Sequence, residues 1–416
     1  MSSDLFLIGS SGTKAYRAAM GAVSENITNA NTANYARRTV STKQSSISAS
    51  TGGLYVSQAT FGGTEIAGVN RASDPYLDAN VRLTSNALED ANARLRWLTD
   101  IETGLDDSDT GIGHLMSGMY SNIEKLSANP QDNALRTTLL YSMSQVVDAF
   151  HQTAADLQSA QDGIATSAQD SVNSINNALT ELARVNASLL RSQAGTTNQA
   201  QLLDARDAAL ATLSANLNVT ISFGANESAS VGYDGVTLVQ GSNADALSVV
   251  QASDGTLSIQ HSGTTLTTPS GGSLGGLFSA ASVAADRVTS LNTLADQFVT
   301  DMNGWHTGGL TDGGAAGGDL FSIGSSASSL QLLLSDTSQI AAASSDGRLN
   351  GNLLNISSVR GTGGVEQGWT AIIAAHGNLL NGVKTEQEAA QSRSDQAVAA
   401  REQVSGVDLD TEAADL

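Results

Sequence analysis

The sequence predicts a mainly α chain, an elongated bundle of long helices with one small antiparallel β module set into it. Three observations carry this. Apolar residues recur three or four apart over unusually long stretches, the spacing of one helix face. Between about 215 and 270 that period drops to two, with Asp-Gly pairs between the runs. Helix breakers are scarce, with 3 Pro in 416 residues, and aromatics make up only 4% of the chain.

The first element is amphipathic. Leu5, Ile8, Gly12, Ala15, Ala19, Val23 and Ile27 fall on one face. The face is narrow and rich in small residues, which suits close packing against another helix. It runs into a tract of Asn, Thr and Ala holding one aromatic, Tyr35. Asn tolerates left-handed backbone and makes local side-chain bonds, so the tract reads as a helix exit into an ordered turn.

Leu88, Ala91, Leu95, Leu98 and Leu105 mark a second helix within 82–105. Leu115, Met119, Ile123 and Leu126 mark a third, closed by Asn129 and Pro130. From about Asn133 a far longer pattern begins at Leu139, Met143, Val146 and Phe150 and extends through Ile164, Val172, Ile175, Leu179 and Leu182 to Leu189. Gly163 alone weakens it. About 60 residues of helix would reach about 90 Å, more than one globular core needs, which implies a rod-like domain. Asn186 falls on the apolar face, where a polar residue can set the register of paired helices in a coiled coil.

In the β module, Val219, Ile221 and Phe223 alternate with polar residues. Asp234-Gly235 and Asp254-Gly255 separate strand-like runs at 231–233 and 236–239, and at 247–250 and 257–259. Helix returns with Leu277, Ala281, Val288, Leu291, Ala295, Phe298 and Met302. A Gly-rich break at 308–318 and a weakly patterned stretch to 368 follow. Trp369, Ile372, Ile373, His376, Leu379 and Val383 restart a helix that turns polar towards 404.

Charge excludes several function classes. With 41 acidic against 20 basic residues the net charge is −21, a surface that repels nucleic-acid phosphates and anionic membranes. Cysteine is absent, so neither a disulfide framework nor a Cys-based metal site is possible. The start carries Asp4 where a secretory leader has basic residues, and its apolar run is short. No stretch approaches the ~20 apolar residues of a membrane helix.

No constellation for catalysis or cofactor binding emerges. His114, His151, His261, His306 and His376 lie on different elements, without metal-ligand spacing. Gly9-Ser-Ser-Gly-Thr-Lys14 lacks the spacing of a phosphate loop, and no strand precedes it. No enzymatic activity and no cofactor are expected.

The segment 26–38, Asn-Ile-Thr-Asn-Ala-Asn-Thr-Ala-Asn-Tyr-Ala-Arg-Arg, closely resembles the N-terminal signature of the bacterial flagellar axial proteins, roughly N-I-A-N-x-N-T-P-G-Y-x-R. Ala33 and Asn34 stand where that family has Pro and Gly. Asn is the natural replacement for Gly at positive φ, so the turn is expected to persist. Two later segments resemble the hook-filament junction members of the same family, Leu-Leu-Asp-Ala-Arg-Asp-Ala-Ala-Leu at 202–210 and Gly-Ser-Leu-Gly-Gly at 272–276, and a third, Ser-Gly-Val-Asp-Leu-Asp-Thr-Glu-Ala-Ala-Asp-Leu at 405–416, resembles a segment of junction and hook proteins alike.

The resemblance implies a flagellin-like axial architecture. Residues 1–38 would be an N-terminal assembly helix and exit turn, 39–214 and 271–404 a helical rod-like body, and 215–270 the β module. Residues 305–368 would be a Gly-rich, reduced insertion where the family carries a larger outer domain, and 405–416 the start of a C-terminal assembly segment. It implies a structural subunit joining hook to filament, exported through the flagellar type III route to the extracellular flagellum without a cleavable signal peptide. The implied partners are the hook protein, the second hook-filament junction protein, an export chaperone and further copies in a ring. Nucleic acid and membrane insertion are not expected. The implied assembly interface is Leu5, Ile8, Ala15, Ala19, Val23 and Ile27 on the helix with Asn26, Asn29, Asn31 and Tyr35 at its exit. Family members continue past the last segment with a helix that pairs with the first. Without it, residues 1 to about 30 are expected to order only in an assembly. Another axial subunit, of hook or rod type, and an acidic extracellular adhesin are the competing readings. The long helix from 133 argues against the first, and an adhesin would need a binding surface on the β module.

Overall fold

The computed structural model describes residues 2–32, 34–46, 61–105, 108–224 and 226–416. Ala33, the replacement for the family proline, lies outside the described residues.

Helix α1 (Ser2–Asn29) leads into strand β1 (Arg38–Ser46), which pairs antiparallel with β2 (Phe61–Arg71). Helices α2 (Pro75–Gly104), α3 (Ile112–Ala128), α4 (Asn133–Leu189) and α5 (Thr197–Asn216) follow. Three of these starts are capped by side chains. Asp74 accepts from the Tyr76 and Leu77 amides with Pro75 at the first helical position, Asp132 accepts from Ala134 and Leu135, and Thr196 from Gln199. The 57 residues of α4 span about 85 Å at the usual rise.

The β module holds two small antiparallel sheets. One orders β3 (Thr220–Phe223), β4 (Ala229–Tyr233), β5 (Val236–Gln240) and β6 (Asn243–Ala244) side by side. The other contains β7 (Leu247–Gln251), β8 (Leu257–His261) and β9 (Thr264–Thr265). Asp234 and Gly235 both take positive φ, 50° and 75°, so the β4–β5 hairpin turns on the expected Asp-Gly pair. The chain re-enters the helical body as α6 (Gly272–Thr307). It then passes through β10 (Phe321–Ser322), β11 (Gln331–Leu332) and the short α7 (Gly351–Leu354), and closes with α8 (Val365–Ser405) and α9 (Leu409–Asp415).

One apolar core runs along the bundle, with α4 against α3, α5 and α6, and α2 against α6 and α8. Phe150, Phe298 and Phe321 form its aromatic centre, with ring centroids 5.7 and 4.9 Å apart. Gly163 has a packing reason: a side chain there would overlap the indole of Trp97, which is buried against α4.

Two expectations change. Residues 39–71, read as part of the helical body, hold the β1–β2 ribbon but for Arg38. Its pattern is hard to see, because β1 is Arg-Thr-Val-Ser-Thr-Lys-Gln-Ser-Ser, with a single apolar residue. Asn186 is fully buried as expected, but it does not pair helices. Its amide donates to the Ala229 and Gly241 carbonyls at 2.8 and 3.1 Å, and its oxygen accepts the Ala229 amide at 2.9 Å. It fastens the β module to α4.

Candidate assembly site: the clasp at the helix exit

The turn after α1 is a polar knot. Asn34 sits at φ 62°, the left-handed conformation expected of it. Tyr35 reaches back so that its hydroxyl donates to Asn26 Oδ1 at 2.9 Å, and the Arg38 amide donates to the same oxygen at 2.9 Å. Asn26 Nδ2 donates to the Arg38 carbonyl at 2.9 Å. One buried Asn thus holds both backbone polar groups of Arg38, as a strand neighbour would. Asn29 acts locally, donating to the Glu25 carbonyl at 2.9 Å. Asn31 is exposed and lines an open cleft with Tyr35, Arg401 and Val407.

The C-terminal segment closes the knot. Helix α9 is capped by Asp408, which accepts from the Asp410 and Thr411 amides. Glu412, fully buried, accepts from Asn26 Nδ2 at 2.9 Å and from Arg37 Nε at 2.5 Å. The Arg37 amide donates to the Ser405 carbonyl at 2.9 Å, and Arg401 donates to Asn34 Oδ1 at 3.1 Å.

A chain of alternating charges extends from the knot into the helical body. Arg38, nearly buried, donates to Glu25 and to Asp204, both at 2.6 Å. The other Asp204 oxygen accepts Arg71 Nε at 2.6 Å. Arg71 also meets Asp207 at 2.7 Å, and Asp207 accepts Arg206 Nε at 2.9 Å. Arg38 lies over the Tyr35 ring at 4.9 Å. Burial pushes the Tyr35 hydroxyl up to about 12, with Arg38 opposing and Glu25 and Asp204 reinforcing the shift. The hydroxyl therefore stays a donor at any ordinary pH.

Three of the four signature segments thus meet in one place: 26–38, 202–210 and 405–416. The fourth, 272–276, begins α6, where Gly276 lies so close to the Asp90 carbonyl of α2 that a side chain would collide with it.

The helical stripe is placed differently from expectation. Ala15 is buried, and Ile8, Ala19, Val23 and Ile27 are half-buried, because α1 lies along β1 and β2 of its own chain. Ser11 Oγ accepts the Thr64 amide at 3.1 Å. Leu5 is 72% exposed. The stripe is partly covered within the chain, by β1 and β2. The outward face carries other residues: Phe6, Leu7, Tyr16 and Met20 are exposed. The ion-pair chain through Arg71, Asp204 and Asp207 was missed in the sequence, although two of its acids stand in a quoted motif.

Among the described residues no group of His, Asp and Glu is placed to hold a metal ion, and no helix is long and apolar enough to cross a membrane. Long helices, a β insert and an exit turn locked to α9 by polar side chains define a protein of the long-helix, mainly α class. The family model for the "Flagellar hook-associated protein FlgK helical domain" matches residues 98–321, more than half of the sequence, and the chain belongs to that flagellar family.

Relatives agree. Flagellar hook-associated protein 1 of Salmonella typhimurium LT2 is 29% identical over 330 residues, covering 76% of this chain and 58% of its own length. The protein of that name from Escherichia coli K12 is 28% identical, with 76% and 59% covered. That of Bacillus subtilis 168 is 23% identical, with 74% and 68% covered. The chain therefore matches less than two thirds of the length of the two enteric relatives. In fold it is similar to the flagellar hook junction protein FlgK from Burkholderia pseudomallei, with a TM-score of 0.70 at 14% identity, over 78% of this chain and 100% of that one.

Proposed function

We propose that the chain is a structural subunit of the bacterial flagellum, set between hook and filament. Its work is mechanical. The long helical body makes contacts between neighbours, and the clasp sets the direction in which α1 leaves that body. The observation that carries this reading is the meeting of segments 26–38, 202–210 and 405–416 through Asn26, Arg38, Asp204 and Glu412. Terminal segments anchored to the body by buried ion pairs transmit load without sliding, which a joint between two polymers requires. Export by the type III route, an extracellular position, and contacts with hook protein, second junction protein, export chaperone and further copies in a ring belong to the same reading.

Deleting the gene in its own bacterium should leave hooks without filaments and filament subunits shed into the medium. Restoring the gene should restore filaments, with the tagged product at the hook end. Normal filaments in the deletion strain would overturn the reading.

A further inference from the structure

His306, in the last turn of α6, ties that helix to two strips of backbone beside it, 309–318 and 341–343. The strips also hold each other. The Leu310 amide donates to the Ala343 carbonyl at 2.8 Å, and the Ala343 amide to the Leu310 carbonyl at 3.1 Å. Glycine lets them lie close: a side chain at Gly317 would collide with the His306 carbonyl and ring, and one at Gly309 with the Ala341 carbonyl. Apolar anchoring is thin. No residue from His306 to Asp319 belongs to the apolar core, and in the first strip only Gly309 and Gly317 are buried. A segment held this way opens at low cost. The partners of His306 fix its state. The Gly318 carbonyl can only accept, so Nδ1 carries a hydrogen, and the Ala341 amide can only donate, so Nε2 carries none. Both bonds need the neutral ring. At the other histidines this conflict is absent or weak. His151 and His376 turn Nε2 to the Leu330 and Leu98 carbonyls, with Arg287 3.5 Å from Nδ1 of His376. His114 and His261 face Asp109 and Asp245.

We propose that His306 is a proton-operated latch: a proton on Nε2 frees the strips 309–318 and 341–343 from α6 while the bundle beneath stays folded. The new N–H would point at the Ala341 N–H inside a fully buried site. Charge compensation is scant. Asp319, at the end of the first strip, favours the proton, but burial outweighs it and holds the ring's affinity down. Asp312 is taken by Arg136 of α4 at 2.7 Å, and Asp346, ahead of α7, by Ser344 and the Arg348 amide. Trp305 and Asn352 are neutral. The Trp305 indole donates to the Asn352 carbonyl at 2.9 Å, and Asn352 Nδ2 donates to the Ala341 carbonyl at 2.8 Å. Release stops at the next tie. Asn303, three residues back on α6, donates to the Phe321 carbonyl at 2.8 Å and accepts the Leu320 and Phe321 amides at 2.8 and 2.9 Å. A carboxamide gains no proton in this range, so 320–321 stays on the helix. A ring that takes its proton only when released, near pH 6.5, favours release about 20-fold more at pH 5 than at pH 7. Acid thus changes the surface that this end of the body presents.

Amide hydrogen exchange of the full chain at pH 7 and pH 5, read by mass spectrometry as protection factors, tests the latch. Peptides covering 309–318 and 341–343 should lose about tenfold or more in protection at pH 5, while those covering 320–321 and α4 keep theirs. The His306→Gln chain should show no such dependence on pH, whether glutamine holds the strips or leaves them open at both values. Strips unprotected at pH 7, or equally protected at both pH values, overturn the inference. So does a loss that takes 320–321 with it, because the whole body would then be unfolding. An equal loss in His306→Gln also overturns it, by assigning the proton to another group. Should the variant fail to fold, the wild-type contrast between the strips and 320–321 decides alone.

Discussion

Asn26 and Glu412 are 386 residues apart and bonded at 2.9 Å, amide to carboxylate, with both side chains buried. The contact ties the end of the first helix to the last. Its geometry is shared: the amide that reaches Glu412 also holds the Arg38 carbonyl, and the carboxylate that receives it also receives Arg37. Two arginines adjacent in sequence are thereby sent in opposite directions, Arg37 to α9 and Arg38 to α5.

Asp204 is the keystone between the exit turn and the helical body. Asp204→Asn keeps its size and removes its charge. Arg38 would retain Glu25, and Arg71 would retain Asp207, so the loss should fall at or below the low end of the range for breaking a buried pair, about 3 kcal/mol. Urea unfolding measures it. A change under ~0.5 kcal/mol would mean that solvent already screens the site.

Asn186→Leu should lower stability by about 2–3 kcal/mol. The substitution strands the buried Ala229 amide and its carbonyl, and an unsatisfied buried group costs more than an apolar side chain returns. Thermal melts with an unchanged or raised Tm would show that its bonds to the β module add no net stability.

His306 should make stability depend on pH. It is fully buried, its Nδ1 bonds the Gly318 carbonyl at 2.6 Å, and its Nε2 accepts the Ala341 amide at 2.9 Å. Protonation would set an N–H against an N–H. Burial holds its pKa below 6.5, and His376 is shifted the same way, also chiefly by burial. Below about pH 6.5 the unfolded chain therefore binds more protons than the folded one, and this contribution is full above that pH and declines beneath it. Global repulsion among 41 acids changes in the same range, so the useful quantity is a difference. The stability gap between wild type and His306→Gln should shrink from pH 7 to pH 5. A constant gap would show that the ring does not titrate there.

Gly163→Ala sets two effects against each other. Alanine favours an exposed helix interior over glycine by about 1 kcal/mol. Here its methyl group would overlap the Trp97 ring, and overpacking a fixed core costs about 1–3 kcal/mol. Trp97 is buried and cannot swing away freely, so a net loss is expected in urea unfolding. A net gain would show that the indole shifts.

Periodicity made the helices and hairpins legible, because Leu139 to Leu189 and the Asp-Gly pairs act through local geometry. It could say that a face is covered, not by what. The stripe from Ile8 to Ile27 therefore gave no hint that β1 and β2 lie along it. Those strands were illegible because Thr39, Thr42, Lys43 and Gln44 give no apolar alternation. The exit turn was readable down to Asn34, whose side chain suits positive φ. Its partners were not, because pairing Arg38 with Asp204 or Asn26 with Glu412 depends on where α5 and α9 pack.

The central claim is that the start and end of the chain are energetically one unit through Asn26 and Glu412. A double-mutant cycle on Asn26→Ala and Glu412→Ala, read by urea unfolding with amide exchange at residues 35–38 and 409–415, tests it most directly. The account predicts a coupling of about 1–3 kcal/mol and loss of protection in both segments from either single change. Additive effects, with each substitution disturbing only its own segment, would contradict it.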